Sequence, residues 1–540
     1  MTTNPEPTPQ LHRHRLLPPR AFAAPVRLGA EGALTLRVIL DQRNGVPTGA
    51  VLAPVLRSKD QWQVVRNGQP VALRDARCIG DDWVAAHVSS DGQTVTAPTW
   101  PRDAEYAVLL MKHPQTTLNG DADFDEFVGH PEPVSLESGI VTRGRPVPGS
   151  PRPVAFALGS CQYPAGMLDG TARSRGRALD DRSIGPAESS LWRLGARMED
   201  DASIRFTVLA GDQVYVDRTA GLFDPSKLLE RIAFAYEAFM LNAGLQRVLR
   251  VAGTDIFPML DDHEISDNWE PRPRGFRHDE LQNEIAQGRR AYESKQRSMW
   301  PEAVRQRFHE GQLWGSAPVQ GFEFFFSDAR SQREGRTIGN LGSASLLGAA
   351  QEQALQKWIG DRGKDAPPGF VVSSSILLPR YLSTRRNSRG PESLGLALNC
   401  DSWAGYPHSL HSVLAWLYDA GAGARRIVFL SGDEHLPSIA TISIESPPDP
   451  RRVVVHSIHS SALYAPYTFA NASARDFASP DHFEFNHEGR PFVCHVEAEF
   501  PDSGDGFAIL RPYQTEGGAW RLHVEFDGSK GKVERTLELS

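Results

Sequence analysis

The chain has 540 residues, too many for one ordinary core, so two domains are expected. Hydrophobic residues make up 40% and charged residues 23%, a balance that folds rather than staying disordered. The net charge of −8 argues against a nucleic-acid partner, which would be held by phosphate neutralisation, and the basic cluster Arg385, Arg386 and Arg389 reads as a solvated loop. The four cysteines, Cys78, Cys161, Cys400 and Cys494, form no CxxC pair, which disfavours a zinc ribbon or a disulfide framework and fits a reducing compartment.

Residues 1–25 are Pro-rich and polar and are expected to form a flexible tail. They contain no apolar core of signal-peptide length and no twin-arginine pair before an apolar run. No later run is long enough to span a bilayer, so the expectation is a soluble, cytoplasmic protein. From 26 to 143 the pattern is short and β-like. LTLRVIL (34–40), WQVVRNG (62–68), WVAAHV (83–88), QTVTA (93–97) and YAVLLM (106–111) are separated by turn residues, which predicts a small β-sandwich domain with Cys78 in its core. A Pro/Gly-rich linker, 144–153, follows.

From 154 to 540 strands alternate with helices, the grammar of an α/β core with a parallel or mixed sheet. VAFALGSCQ runs into Cys161, and the helix ESSLWRLGARMED follows. RFTVLAGDQVYVD ends in Asp212, Tyr215 and Asp217, and 225–251 has helical apolar spacing. Then PMLDDHEISDNW (258–269) ends an apolar run in two carboxylates, a histidine, a glutamate and Asn268. Further helices are expected at 278–300, 345–359 and along SLHSVLAWLYDAG. FEFFFSDARSQRE, FVVSSSILLP, RRIVFLSGDEH and VVVHSIHSSALY are strands, and the last forty residues read as hairpins.

Several strand ends therefore deliver polar groups: Cys161; Asp212 with Tyr215; Asp261, Asp262 and His263 with Asn268; Asp328 with Arg330; and Asp433 with His435. Carboxylate and phenolate oxygens suit hard cations, whereas thiolate and imidazole suit iron or zinc. Paired metals with an arginine fork and a histidine are the parts needed for phosphoryl chemistry. Each piece alone has a plainer reading: a capping Asp, an inert core thiol, a core tyrosine, an Arg330–Asp328 pair. Their co-occurrence favours a site, because scattered strand ends would otherwise bury unpaired charge together.

The ordered series GSCQ, GDQVYVD, DDHEISDNW, DARSQR, DSWAGYP and SGDEH, spread over about 150–470, resembles the PhoD-type alkaline phosphatases, members of the calcineurin-like metallophosphoesterases. The resemblance implies a four-layer α/β/β/α metallophosphoesterase sandwich preceded by the small β-sandwich domain. It implies Fe3+ and Ca2+ as cofactors, with Zn2+ or Mn2+ as alternatives. Cys161, Asp212, Tyr215, Asp262, Asp433 and His435 would be metal ligands, and His263, Arg330 and Asn268 catalytic. Asp261 and Glu264 would support the ligands from behind, and Asp267 has no assigned role. The implied activity is hydrolysis of a small-molecule phosphomonoester or phosphodiester, with metal-activated hydroxide attacking phosphorus. The alternatives are a phosphodiesterase of phospholipase D-like action, and a non-catalytic binding protein on a decayed scaffold. Two departures from the family stand out: Ala404 replaces an aspartate, and serines in VVSSSILLP stand where related phosphoesterases carry a ligating histidine.

Overall fold

In a computed structural model of the chain, the described residues are strand segments between 21 and 140, then 154–164, 184–217, 226–271 (without 241, 252 and 253), 278–385, 398–466 and 472–539. The linker 144–153, Cys78 and residues 1–20 of the expected tail lie outside them. The chain divides into two compact units, Met1–Arg143 and Gly144–Ser540.

The first unit contains strands β1 (Ala21–Leu28), β2 (Leu34–Leu40), β3 (Val51–Ser58), β4 (Gln61–Arg66), β5 (Gln69–Ala72), β6 (Ala86–His87), β7 (Gln93–Ala97), β8 (Glu105–Met111) and β9 (Ser138–Ile140). They pair antiparallel in two sheets, one ordered β1-β2-β7, the other β5-β4-β3-β8-β9 with β6 beside β3. β1 starts at Ala21, inside the stretch read as tail.

The second unit has two mixed sheets and several helices. One sheet holds β10 (Ala155–Gln162), β11 (Ile204–Leu209), β12 (Asp255–Pro258), β19 (Ala462–Tyr464), β22 (Gly506–Gln514), β23 (Trp520–Gly528) and β24 (Gly531–Glu538). Its order is β12-β11-β10-β22-β23-β24, with β19 beside the end of β10. β10, β11 and β12 run parallel, and β10 is buried along its whole length, while β11 and β12 are buried apart from Arg205 and half-buried Asp255, burial that falls on both faces of the sheet. β22, β23 and β24 form the antiparallel hairpins expected from the C-terminal turn signals.

The other sheet holds β13 (Gly315–Val319), β14 (Phe322–Phe326), β15 (Gly369–Val372), β16 (Ile427–Ser431), β17 (Ser438–Ser446), β18 (Asp449–His459), β20 (Asp481–His487) and β21 (Arg490–Glu499). Its order is β13-β14-β15-β16-β18-β17-β21-β20, parallel across β14, β15, β16 and β18.

Alternation along the strands gives each sheet a shared aromatic face. Phe156 and Phe206 of the first sheet stack at 4.8 Å, and each meets Phe324 of the second edge-on at 5.5 Å. The opposite face of the second sheet packs on helices Ala349–Gly360 and Pro407–Ala420 through Leu355, Ile359, Leu410, Val413, Leu414 and Leu417. Against the first sheet, helix Pro186–Asp200 is tied down by Arg197 to Glu525 of β23 at 2.8 Å.

The single helix expected over 225–251 is two, Leu228–Met240 and Ala243–Arg250. Asn242 divides them: its side chain accepts a hydrogen bond from Leu245 N at 3.0 Å, capping the second helix. Among the described residues no helix is long and apolar enough to cross a membrane.

Candidate metal centre

The carboxyl ends of the parallel strands of both sheets converge on one place, the usual position for a site in α/β folds. β10 delivers Cys161, whose Sγ lies 3.6 Å from Asp212 Oδ2 and 3.6 Å from the Asp433 carbonyl oxygen. Asp212 follows β11 through Gly211, at φ +100°. A Cβ on Gly211 would lie 2.6 Å from that of Asp261 and 3.1 Å from that of Ser374, so only glycine lets the turns approach. After β12 come Asp261, Asp262 and His263. Donor oxygens of Asp212, Asp261, Asp262 and Asp433 all lie within 4.8 Å of one another, and Asp212, Asp262 and His263 form an overlapping group. His435 belongs to neither group.

His263 Nδ1 is 2.8 Å from Asp217 Oδ1, and its ring stacks on Tyr215 at 4.3 Å. Burial acts against the imidazolium, but Asp217, then Asp262 and Asp212, hold its pKa well above the ordinary histidine value. With Nδ1 committed to Asp217, Nε2 is the nitrogen left to face a substrate. Asn268 is exposed at the rim. Its backbone N–H donates to Asp262 Oδ2 at 2.6 Å, and its side-chain amide donates to Asp267 Oδ1 at 2.9 Å.

Arg330 does not pair with the Asp328 side chain. Asp328 instead accepts from the backbone N–H groups of Arg330 and Ser331, at 3.1 and 2.8 Å. The Arg330 guanidinium is wholly buried among carboxylates: Asp261, Asp401, Asp262 at 3.2 Å and Asp433 at 3.7 Å. It is therefore placed to fix the cluster rather than to meet solvent. Arg333 pairs with the same Asp401 at 2.5 Å.

Glu264 organises both turns. Its carboxylate accepts from the backbone N–H of Gln213 (3.0 Å), Val214 (3.2 Å) and Asp261 (2.9 Å), and from Gln296 Nε2 (3.1 Å). Burial nonetheless pushes its pKa up to about 7. Behind the Asp433 turn, His459 Nε2 accepts from Glu434 N at 3.2 Å while Nδ1 meets Ser431 Oγ at 3.0 Å, and burial pulls its pKa down to about 3.

Electrostatics describe a cluster built for cations. Burial, followed by their acidic neighbours, raises the pKa values of Asp212, Asp433, Cys161 and Tyr215. Burial acts the same way on Asp262, but Arg330 and His263 hold it below the usual carboxylate range. Tyr215 Oη and Asp261 Oδ2 are buried with no hydrogen-bond partner. Thiol, phenol and carboxylates this close ionise together only beside a strong positive charge, and one guanidinium faces four carboxylates. The donors fit metal ions.

Cys161, Asp212, Tyr215, Asp262, His263 and Asp433 are thus brought together, with Asn268 at the rim and Arg330 beneath, while His435 is in neither group of donors. Asp217, Asp401, Arg333, His459 and Gln296 had no role in the sequence reading. Asp217 and Asp401 stand inside the GDQVYVD and DSWAGYP motifs, which were the available signal. Gln296 and His459 carried none.

A family model of PhoD-like phosphatases matches residues 192–499, more than half of the chain. No curated protein matches significantly in sequence. A solved structure described as "Structure of PhoD" is similar at a TM-score of 0.55 and 13% identity, covering 97% of this chain and 91% of that one, a likeness of fold. A Paenibacillus sp. cycloisomaltooligosaccharide glucanotransferase aligns at a TM-score of 0.17 and 10% identity over 96% of this chain and 72% of that one, which carries no argument. The chain belongs to the PhoD-like phosphatase family.

Proposed function

We propose that this chain is a metal-dependent phosphoric ester hydrolase, its second unit a four-layer α/β/β/α sandwich acting at its strand ends. The observation that carries the reading is the meeting of thiol, phenol, carboxylates and a carboxylate-backed histidine from separate strands at one place. Cys161, Tyr215, Asp212 and Asp433 would hold the harder, more highly charged ion, a role suited to Fe3+, and the Asp262 side a divalent cation such as Ca2+. Bound there, the ions supply charge neutralisation and a nucleophile at neutral pH.

The chain's own residues do the rest. Asp217 keeps His263 protonated and oriented, so that Nε2 can give its proton to the departing alkoxide. Asn268, exposed at the rim, orients the phosphoryl group. Arg330 holds Asp261, Asp262 and Asp401 at their spacing and offsets their repulsion. The substrate is a small phosphate ester.

Asp212→Ala or Asp433→Ala should abolish hydrolysis of p-nitrophenyl phosphate and its diester together with bound metal. Retained activity with unchanged metal content would show the site to be misplaced.

A further inference from the structure

After β15 the chain reads Ser373-Ser374-Ser375. Ser373 Oγ accepts from Trp403 Nε1 at 3.1 Å, on the side of the sheet that packs against helices. Strand alternation sends Ser374 to the opposite face, between the sheets. There its carbonyl accepts from Gly432 N at 3.1 Å, and its Cβ and that of Asp261 lie 3.1 and 2.6 Å from where a Cβ on Gly211 would sit. Ser374 is thus wedged between the turns that carry Asp212, Asp261 and Asp433. It is fully buried, and its Oγ has no hydrogen-bond partner. Asp261 Oδ2, beside the same glycine, is also buried and without a partner, although Asp261 Oδ1 pairs with Arg330. Two orphaned oxygens beside a carboxylate cluster call for an electron-pair acceptor, since burying them unmet is unfavourable.

We propose that Ser374 Oγ and Asp261 Oδ2, with Asp262, form an all-oxygen subsite for a hard divalent cation. A donor set of one hydroxyl and carboxylate oxygens, with no nitrogen or sulfur, favours the hard ions Ca2+ or Mg2+. The inference rests on the metallohydrolase reading but makes a separate claim about which residues bind.

The test is calorimetric titration of the chelator-stripped full chain with Ca2+ and, separately, Cd2+. Wild type should bind Ca2+; Ser374→Ala should weaken that step by ~10-fold or more, and Asp261→Asn at least as much. Ser374→Cys, nearly isosteric, should raise the Cd2+ to Ca2+ affinity ratio by ~10-fold or more, because a thiol prefers the softer ion. Ser375→Ala, which removes an equally buried and unpartnered hydroxyl, should leave Ca2+ affinity within about twofold and so measures the generic effect. If Ser374→Ala and Ser374→Cys match wild type for both ions, the subsite is wrong while the metallohydrolase reading stands. If wild type binds neither ion nor any transition metal, both fall.

Discussion

Cys161, Asp212, Asn268, Asp433 and His435 all adopt positive φ, between 50° and 92°. Few non-glycine residues tolerate that region; among the described residues Gln320 and Glu488 are the others that do, so most of this strain falls where the strand ends turn toward the site. Asp433 also carries burial and the repulsion of Asp261 and Asp262, which raise its pKa. A carboxyl with a raised folded-state pKa loses stability as pH climbs past its unfolded value. At pH 7 in chelator, Asp433→Asn, which keeps tolerance of positive φ without the charge, should therefore be more stable by on the order of 1 kcal/mol while hydrolysing nothing; urea unfolding and assay check this. His263 gives a second prediction. Asp217→Asn lowers its pKa, so the alkaline limb of the kcat profile should move to lower pH. The loss, ~10²-fold for alkyl esters, should shrink for p-nitrophenyl esters, whose leaving group needs no proton. The identity of these donors was legible in the sequence. Their partners were not, because Asp217 meets His263 across 46 residues and Arg330 meets Asp261 across 69.

At the level of elements, the turns after β11 and β12 are held as one by Glu264, and Gln296 reaches in from the helical segment to join them. Gln296 bonds Glu264 Oε1 at 3.1 Å and Gln213 Oε1 at 3.2 Å, and accepts from Tyr236 Oη at 2.7 Å. Gln296→Leu keeps the bulk but leaves Tyr236 Oη and Gln213 Oε1 buried without these bonds and removes one bond to Glu264, so a loss of about 2 kcal/mol or more in chemical denaturation is expected, with weakened metal retention. The helix 278–300 was readable from its pattern; its end as Lys295 with a 3-10 turn over Arg297–Met299 was not, because that end is decided by what Gln296 bonds. β17, β20 and β21 were not anticipated. β20 and β21 alternate buried and exposed residues, and β17 is buried almost throughout, at a sheet region where only neighbouring strands say which face is inward.

Across the whole molecule, buried histidines couple stability to pH. Burial, with Arg380 nearby, pulls His411 down to about 4, and burial lowers His456. A histidine depressed on folding contributes stability that is full above about 6.5 and lost as pH falls toward the folded value, at up to ~1.4 kcal/mol per pH unit for each group. His411→Phe keeps the stack on Phe485, 4.5 Å between ring centroids, and should flatten the decline between pH 6.5 and 4 in unfolding measurements. By itself the sequence determined the α/β grammar after residue 154, the donors at the strand ends and the family they resemble. Those are local properties: a buried run has to be apolar, and the residue leaving it is free to be polar. Only the tertiary structure decided that both sheets bring their carboxyl ends to one place, that Arg330 lies beneath four carboxylates instead of beside Asp328, and that Asp217 backs His263. Each depends on contacts between segments far apart in the chain, whose geometry is set by sheet order and by the aromatic core between the sheets.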